Sequence, residues 1–177
     1  MPRTQLKQLI FAALMCALTA VCSQIQIPLP MVPINLALFA VHLSGTLLGP
    51  SWGALSMTAY ALLGLIGVPV FSGFSAGPSV LFGRTGGYIL GYILCAFLVG
   101  MLSRRWGLSM GRLCLAMALG VAACYAFGTA WFMLLTKMSL GLSLSYCVLP
   151  FLPGDAVKIV LAAFLTQRLQ EPLRRLA

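Results

Sequence analysis

The chain has 177 residues, of which 61% are hydrophobic and only 7% charged, and its formal net charge is +9. A water-soluble domain carries about 25% charged residues, so these few could not cover a water-facing surface, and the length allows a single lipid-embedded domain over residues 1–177. The basic residues lie between apolar runs rather than in one patch, which marks them as topological anchors and argues against nucleic acid as a partner.

A bilayer core about 30 Å thick needs roughly 20 apolar residues in a helix. The first such run is Gln5–Ser23, preceded by Arg3 and Lys7. It has the outline of a secretory signal, but Ala20-Val21-Cys22 is a poor cleavage or lipidation site and more spans follow, so it is read as a retained helix. Within it Ala13 and Ala17, with Ala20 nearby, form a small-x-x-x-small pair that lets helices approach closely in lipid. Residues Gln24–Ile34 hold Pro28, Pro30 and Pro33, which stop a helix and force an extended loop. Two short runs follow, Asn35–Leu48 and Trp52–Ile66, and Gly49-Pro50-Ser51 between them favours a tight helical hairpin over one kinked span. After a Gly-, Ser- and Phe-rich segment, Gly67–Arg84, come Thr85–Ser103 and Arg112–Thr136. A looser apolar stretch, Lys137–Pro153, precedes the last run, Gly154–Leu169.

Charge orients these six spans. Arg3, Lys7, Arg104, Arg105, Arg112, Arg168, Arg174 and Arg175 all fall on one side, which the positive-inside bias makes cytoplasmic, while Arg84, Lys137 and Lys158 fall at the outer ends. The expected fold is therefore an all-α membrane bundle of six transmembrane helices with both termini cytoplasmic. Its long Pro- and Gly-containing loops lie outside, where recognition is expected. The six cysteines fall mainly inside apolar runs, without a Cys-x-x-Cys pair and with His42 as the one histidine, so they read as buried small hydrophobes and no metal site is expected.

Asp155 is the sole aspartate and Glu171 the sole glutamate. Lys158 follows Asp155 at a spacing that shares one helical face. Charges beside hydrocarbon are costly, which makes the pair a candidate site. A helix cap would explain Asp155 but not Lys158, which opposes the helix dipole. Gly83-Arg84-Thr85-Gly86-Gly87-Tyr88 forms a glycine-rich turn into the fourth span; a helix N-terminus attracts an anion, and Arg84 suits a carboxylate. It is not a P-loop, so the chain has no visible means of hydrolysing ATP. Trp52, Phe71, Phe74 and Tyr88 can stack on a ligand ring or anchor the chain at the membrane interface.

Several segments, in order, resemble the BioY family: Ile27-Pro28-Leu29-Pro30 with Pro33, Phe39-Ala40-Val41, Leu48-Gly49-Pro50, Gly53-Ala54-Leu55-Ser56, Gly67-Val68-Pro69-Val70-Phe71, Gly83-x-Thr85-Gly86-Gly87-Tyr88, and Pro153-Gly154-Asp155 with Lys158. The resemblance covers nearly the whole chain. It implies a biotin-binding S subunit of an energy-coupling factor transporter in the bacterial inner or plasma membrane. Its implied partners are biotin, a transmembrane coupling subunit and a pair of ATPases. It implies that biotin binds near the outer surface under the first loop, that Asp155 and Lys158 are the polar pair of the last helix, and that Ala13 and Ala17 contact the coupling subunit. Around Asn35 the family usually reads Pro-x-Thr-Leu-Gln-Thr-Phe, whereas this chain reads Pro33-Ile34-Asn35-Leu36-Ala37-Leu38-Phe39, and Arg84 stands where proline is common.

The chemistry suits that ligand. A carboxylate such as Asp155 can accept from the ureido N–H groups, while Lys158, Arg84 and the Gly86 and Gly87 backbone can donate to the ureido carbonyl and the valerate carboxylate. Phe71, Phe74 and the first loop can form the apolar cleft. No cofactor is expected. The same architecture carrying another vitamin or small carboxylate is the nearest alternative. A small membrane enzyme using Asp155 and Lys158 is another, against which stands the lack of a second carboxylate, a metal cluster or a nucleophile motif.

Overall fold

A computed structural model describes residues 3–28 and 32–176, so Leu29 and Pro30 of the proline-rich motif lie outside the described residues. Helices dominate because lipid offers no partner for backbone N–H and C=O groups, and a helix satisfies both internally. The chain runs α1 (Arg3–Gln24), β1 (Gln26–Ile27), β2 (Ile34–Asn35), α2 (Ala37–Leu48), α3 (Pro50–Leu65), a 3-10 turn (Ser72–Phe74), α4 (Pro78–Leu81), α5 (Gly86–Trp106), α6 (Met110–Thr136), α7 (Leu140–Cys147) and α8 (Leu152–Leu176).

The long helices start and stop within a few residues of the expected runs, except that α8 continues past Leu169. By length and composition α1, α5 and α6 can each cross a membrane, and α7 with α8 makes a fourth candidate, bent by 52°. Helices α2 and α3 have 12 and 16 residues, about 18 and 24 Å of rise. Three connections differ from expectation. The stretch 137–153 is not loose: it forms α7, which buries Ser143 and Cys147. The residues flanking the proline-rich motif pair as antiparallel strands, Gln26 opposite Asn35 and Ile27 opposite Ile34. The segment 67–84 holds the 3-10 turn and α4.

Gly49 makes the α2–α3 turn. Its φ of +82° lies where a Cβ is unfavourable, and it ends α2 and starts α3 at once, with Pro50 in the first turn of α3. The two helices fold back on each other, so that Ser44 Oγ donates to Gly53 O (3.5 Å). Small residues then let α5 press into the hairpin. A Cβ added to Gly45 would lie 2.6 Å from Ala96 O, and one added to Gly100 would lie 2.6 Å from the Gly49 carbonyl carbon. At this same end Arg104 Nη2 donates to Leu48 O (3.2 Å) and Arg112 Nη1 to Trp106 O (2.7 Å), so side chains satisfy the terminal carbonyls of α2 and α5.

Leu43, Met57, Val99, Leu113 and Met117 fill the interior, while Leu14, Leu134 and Phe164 point outward. Lipid tails give no hydrophobic drive between helices, so close packing and polar contacts must hold the bundle. Ser56 Oγ donates to Ala12 O (2.7 Å), joining α3 to α1, and the Thr46 and Thr166 hydroxyls meet at 2.9 Å, joining α2 to α8. Helix α1 buries Ala12, Met15, Cys16, Thr19 and Ser23 on one face and leaves Ile10, Ala13, Leu14, Ala17 and Val21 exposed on the other.

This packing makes a stability prediction. Gly100→Val should destabilise the bundle by about 1–3 kcal/mol, because the added atoms meet backbone that cannot move aside cheaply. Gly111→Ala, where nothing lies within 4 Å of the added Cβ, should leave the melting temperature in detergent unchanged or higher. Equal melting temperatures for Gly100→Val and the unaltered protein would show that the seam is not tight.

Candidate ligand-binding site

Helix α8 begins at Leu152, and the Asp155 N–H donates to Phe151 O (2.8 Å). Asp155 therefore sits in the first turn, where a negative charge meets the positive end of the helix dipole. Lys158 lies one turn on, in a position the dipole disfavours, and its Nζ lies 2.8 Å from Asp155 Oδ1. Both residues are buried, at 2% and 7% exposure. The other carboxylate oxygen is also taken: the Tyr125 hydroxyl of α6 donates to Asp155 Oδ2. The Tyr125 ring is held edge-on by Tyr88 and Phe151, each with its centroid 6.5 Å away. Tyr88 is held in turn by its hydroxyl, 3.1 Å from Thr129 Oγ1.

Next to these groups lies a cavity of about 510 Å³, within the range typical of small-molecule sites. Tyr125 and Lys158 line it, and Asp155, which touches both, does not. Tyr60, Tyr88 and Tyr92 give α3 and α5 an aromatic wall, and Cys147 brings α7 into the lining. Both the exposed Arg84 and the buried Lys158 line the cavity.

A polar clamp holds the segment that covers one side. Gln24, the last residue of α1, donates through Nε2 to Val70 O (3.2 Å) and Phe71 O (3.1 Å) and accepts from Phe74 N at Oε1 (2.8 Å). The Ser23 and Tyr60 hydroxyls add donors to Val70 O, at 2.6 and 3.1 Å. Asn35 Nδ2 donates to Ser72 Oγ at 2.5 Å, and Asn35 Oδ1 accepts from Ala37 N at 3.1 Å, so one side chain links the covering segment to the start of α2.

Of the residues singled out in the sequence, Lys158, Arg84, Tyr88, Asn35 and Phe71 line this cavity. Asp155, Gly86, Gly87 and Phe74 do not. A Cβ on Gly86 would lie 1.6 Å from Leu81 O and one on Gly87 2.3 Å from Trp131 Cβ, so both glycines serve helix contacts; Phe74 is 71% exposed. Trp52 lies in the first turn of α3, beside Gly49 and away from the lining. Sequence reasoning missed Tyr125, Tyr92 and Tyr60. Each is a phenol inside an apolar run, and such a group needs a hydrogen-bond partner when buried.

The model of the BioY family matches residues 1–175. A biotin transporter BioY of Thermotoga maritima is 37% identical over 171 residues, covering 94% of this chain and 97% of the relative. One of Rhizobium etli is 34% identical over 165 residues, covering 88% and 87%. Among solved structures, the S-component for biotin from an ECF-type ABC transporter superposes with a TM-score of 0.87 at 29% identity, over 97% of this chain and 94% of that one. The structure of FolT bound with folic acid shares the fold, with a TM-score of 0.63 at 16% identity over 90% and 89%. With a family model matched over nearly its full length, relatives above 30% identity and several apolar helices in a shared membrane fold, this multi-pass membrane protein belongs to the BioY family.

Proposed function

We propose that this chain is a biotin-binding S subunit through which biotin enters the cell, energised by a separate coupling subunit and ATPases. One observation carries the reading. A cavity of about 510 Å³ is lined by Lys158 and Tyr125 of the buried Lys158–Asp155–Tyr125 cluster and by the exposed Arg84, in a chain whose relatives are named biotin transporters. A polar ring can be recognised at the buried end, an aliphatic tail can lie along the tyrosine wall, and a carboxylate can reach Arg84, whose guanidinium matches it geometrically. Gly86 and Gly87 then act by letting α5 pack, and Phe71 forms part of the apolar wall.

The same reading places six spans in the membrane with both termini cytoplasmic. The support is that eight of the eleven basic residues fall on one side, with Arg84, Lys137 and Lys158 at the outer ends, and that the cavity lies at the opposite end of α5 from Arg104. Ala13 and Ala17 lie on the exposed face of α1, available to the coupling subunit.

Titration of the purified protein with biotin, and with folic acid as comparison, tests the function. Saturable one-to-one binding of biotin is expected, and conversion of the ligand without stoichiometric binding would favour an enzyme instead. In the same titration Lys158→Met and Asp155→Asn should each weaken biotin by roughly tenfold or more, since a ligand polar group left unmatched in a dry site costs about 1–3 kcal/mol. Unchanged affinity in both would remove the pair from the site.

Topology and docking are separately measurable. Single cysteines placed in a background lacking the six native ones should label from outside at Ser72 and not at Ser109; the reverse pattern would overturn the orientation. Replacing Ala13 and Ala17 by leucine should impair biotin uptake while leaving affinity nearly unchanged, because the face is exposed and the cavity lies elsewhere. An equal fall in both would make the alanines part of the fold's own packing.

A further inference from the structure

We infer that Gln24 is a positioning residue for the ligand: it holds the wall turn 71–75 in a strained conformation, and the balance between that hold and the strain sets how fast ligand leaves. The inference deepens the biotin reading and rests on it.

The strain is in the backbone. The 3-10 turn contains two successive left-handed residues, Gly73 at φ +69° and Phe74 at φ +54°. Glycine adopts that conformation freely, whereas in phenylalanine the Cβ crowds the following carbonyl. Such a residue persists only where its surroundings impose the conformation. Packing of the ring does not impose it, because Phe74 is 71% exposed and does not line the cavity. The Phe74 backbone is what is held: its N–H donates to Gln24 Oε1 at 2.8 Å. The Nε2 of the same amide donates to Val70 O and Phe71 O, at 3.2 and 3.1 Å. It also lies 3.0 Å from Ser23 Oγ and 3.2 Å from Ala20 O, which seats the amide on the end of α1. The turn thus presents two carbonyls and one N–H, and a carboxamide is the side chain that carries donor and acceptor together on one plane.

What Gln24 holds is part of the site. Phe71, Ser72 and Ser75 line the cavity. Phe71 N donates to Ser75 O (3.1 Å) and Ser75 Oγ to Ser72 O (2.8 Å), so the turn is closed on itself and carries its three lining side chains as one unit. Gln24 draws that unit against α1 while the left-handed Phe74 works against it. The turn is therefore an element with two states, held and released, and the released state uncovers the ligand. With the held state dominant, the rate of ligand loss follows the small fraction released. Weakening the hold should speed ligand loss, and relieving the strain should slow it.

The test measures release of labelled biotin from the purified full-length protein. Absence of biotin binding to the unaltered protein would sink the transport reading itself. Given binding, Gln24→Met keeps the length of the side chain and removes its hydrogen bonds, and it should release biotin roughly tenfold faster or more. In that background Phe74→Gly, which removes the crowding of the left-handed backbone, should slow release again by about threefold or more. Phe74→Ala removes the ring but keeps the Cβ, and should not. Loss of an ordinary packing contact at Gln24 would not be repaired from residue 74, so this rescue separates positioning from mere support. An unchanged release rate in Gln24→Met, or equal rates for the two double variants, would overturn this inference while leaving the biotin reading intact. If Gln24→Met does not fold, the single variants decide. Phe74→Gly should release biotin about threefold more slowly than Phe74→Ala, and equal rates would overturn the inference.

Discussion

A carboxylate and an ammonium buried in an apolar bundle are each costly to leave unmatched, and the cavity end of this protein is arranged around matching them. Removing one member of such a pair leaves an uncompensated buried charge, a loss typically of about 3–5 kcal/mol. Asp155 accepts from Lys158 on one oxygen and from Tyr125 on the other, which ties the start of α8 to the middle of α6. That tie then sets the position of the Tyr125 ring against Tyr88 and Phe151, and with it the shape of the cavity wall they share. The ion pair is thus less a contribution to stability than a device that fixes where polar atoms meet the cavity.

The covering segment follows a related rule. Irregular backbone inside or beside a bundle must find partners for its N–H and C=O groups. Around residues 70–75 the donors to the Val70 and Phe71 carbonyls are side chains of Ser23, Gln24 and Tyr60, supplied by the end of α1 and by α3. A loop whose carbonyls are met in this way is a wall of defined shape. The side chains that line the cavity from it, Phe71, Ser72 and Ser75, inherit that definition.

The helices were legible in the sequence because hydropathy sums over about twenty residues, which averages out local exceptions. Asp155 and Lys158 stood out because charge is rare in such a chain, and a spacing of three residues is enough to pair them on one helix. Tyr125 was hidden for the opposite reason: its partner lies 30 residues on, in another helix, and only the fold brings the two together. Helix α7, with eight residues, is too short for the averaging that revealed the others. The turn glycines illustrate a genuine ambiguity. Close approach of a ligand and close approach of a helix demand the same missing Cβ, and for Gly86 and Gly87 the neighbours are Leu81 and Trp131.

The arginines at the far end of the bundle serve two masters. Positive charge beside a span biases which side of the membrane it faces, yet the guanidinium of Arg104 also closes the open carbonyl end of α2, and that of Arg112 closes α5. A Cβ at Gly49 would moreover fall within 2.1 Å of Arg104 Nη2, so the turn and the arginine are shaped to one another. Insertion and folding are consequently written in the same letters here. An engineer who neutralised these residues to invert the protein would also unstopper two helices, and a lineage that drifted at Arg104 would be answerable to both demands at once.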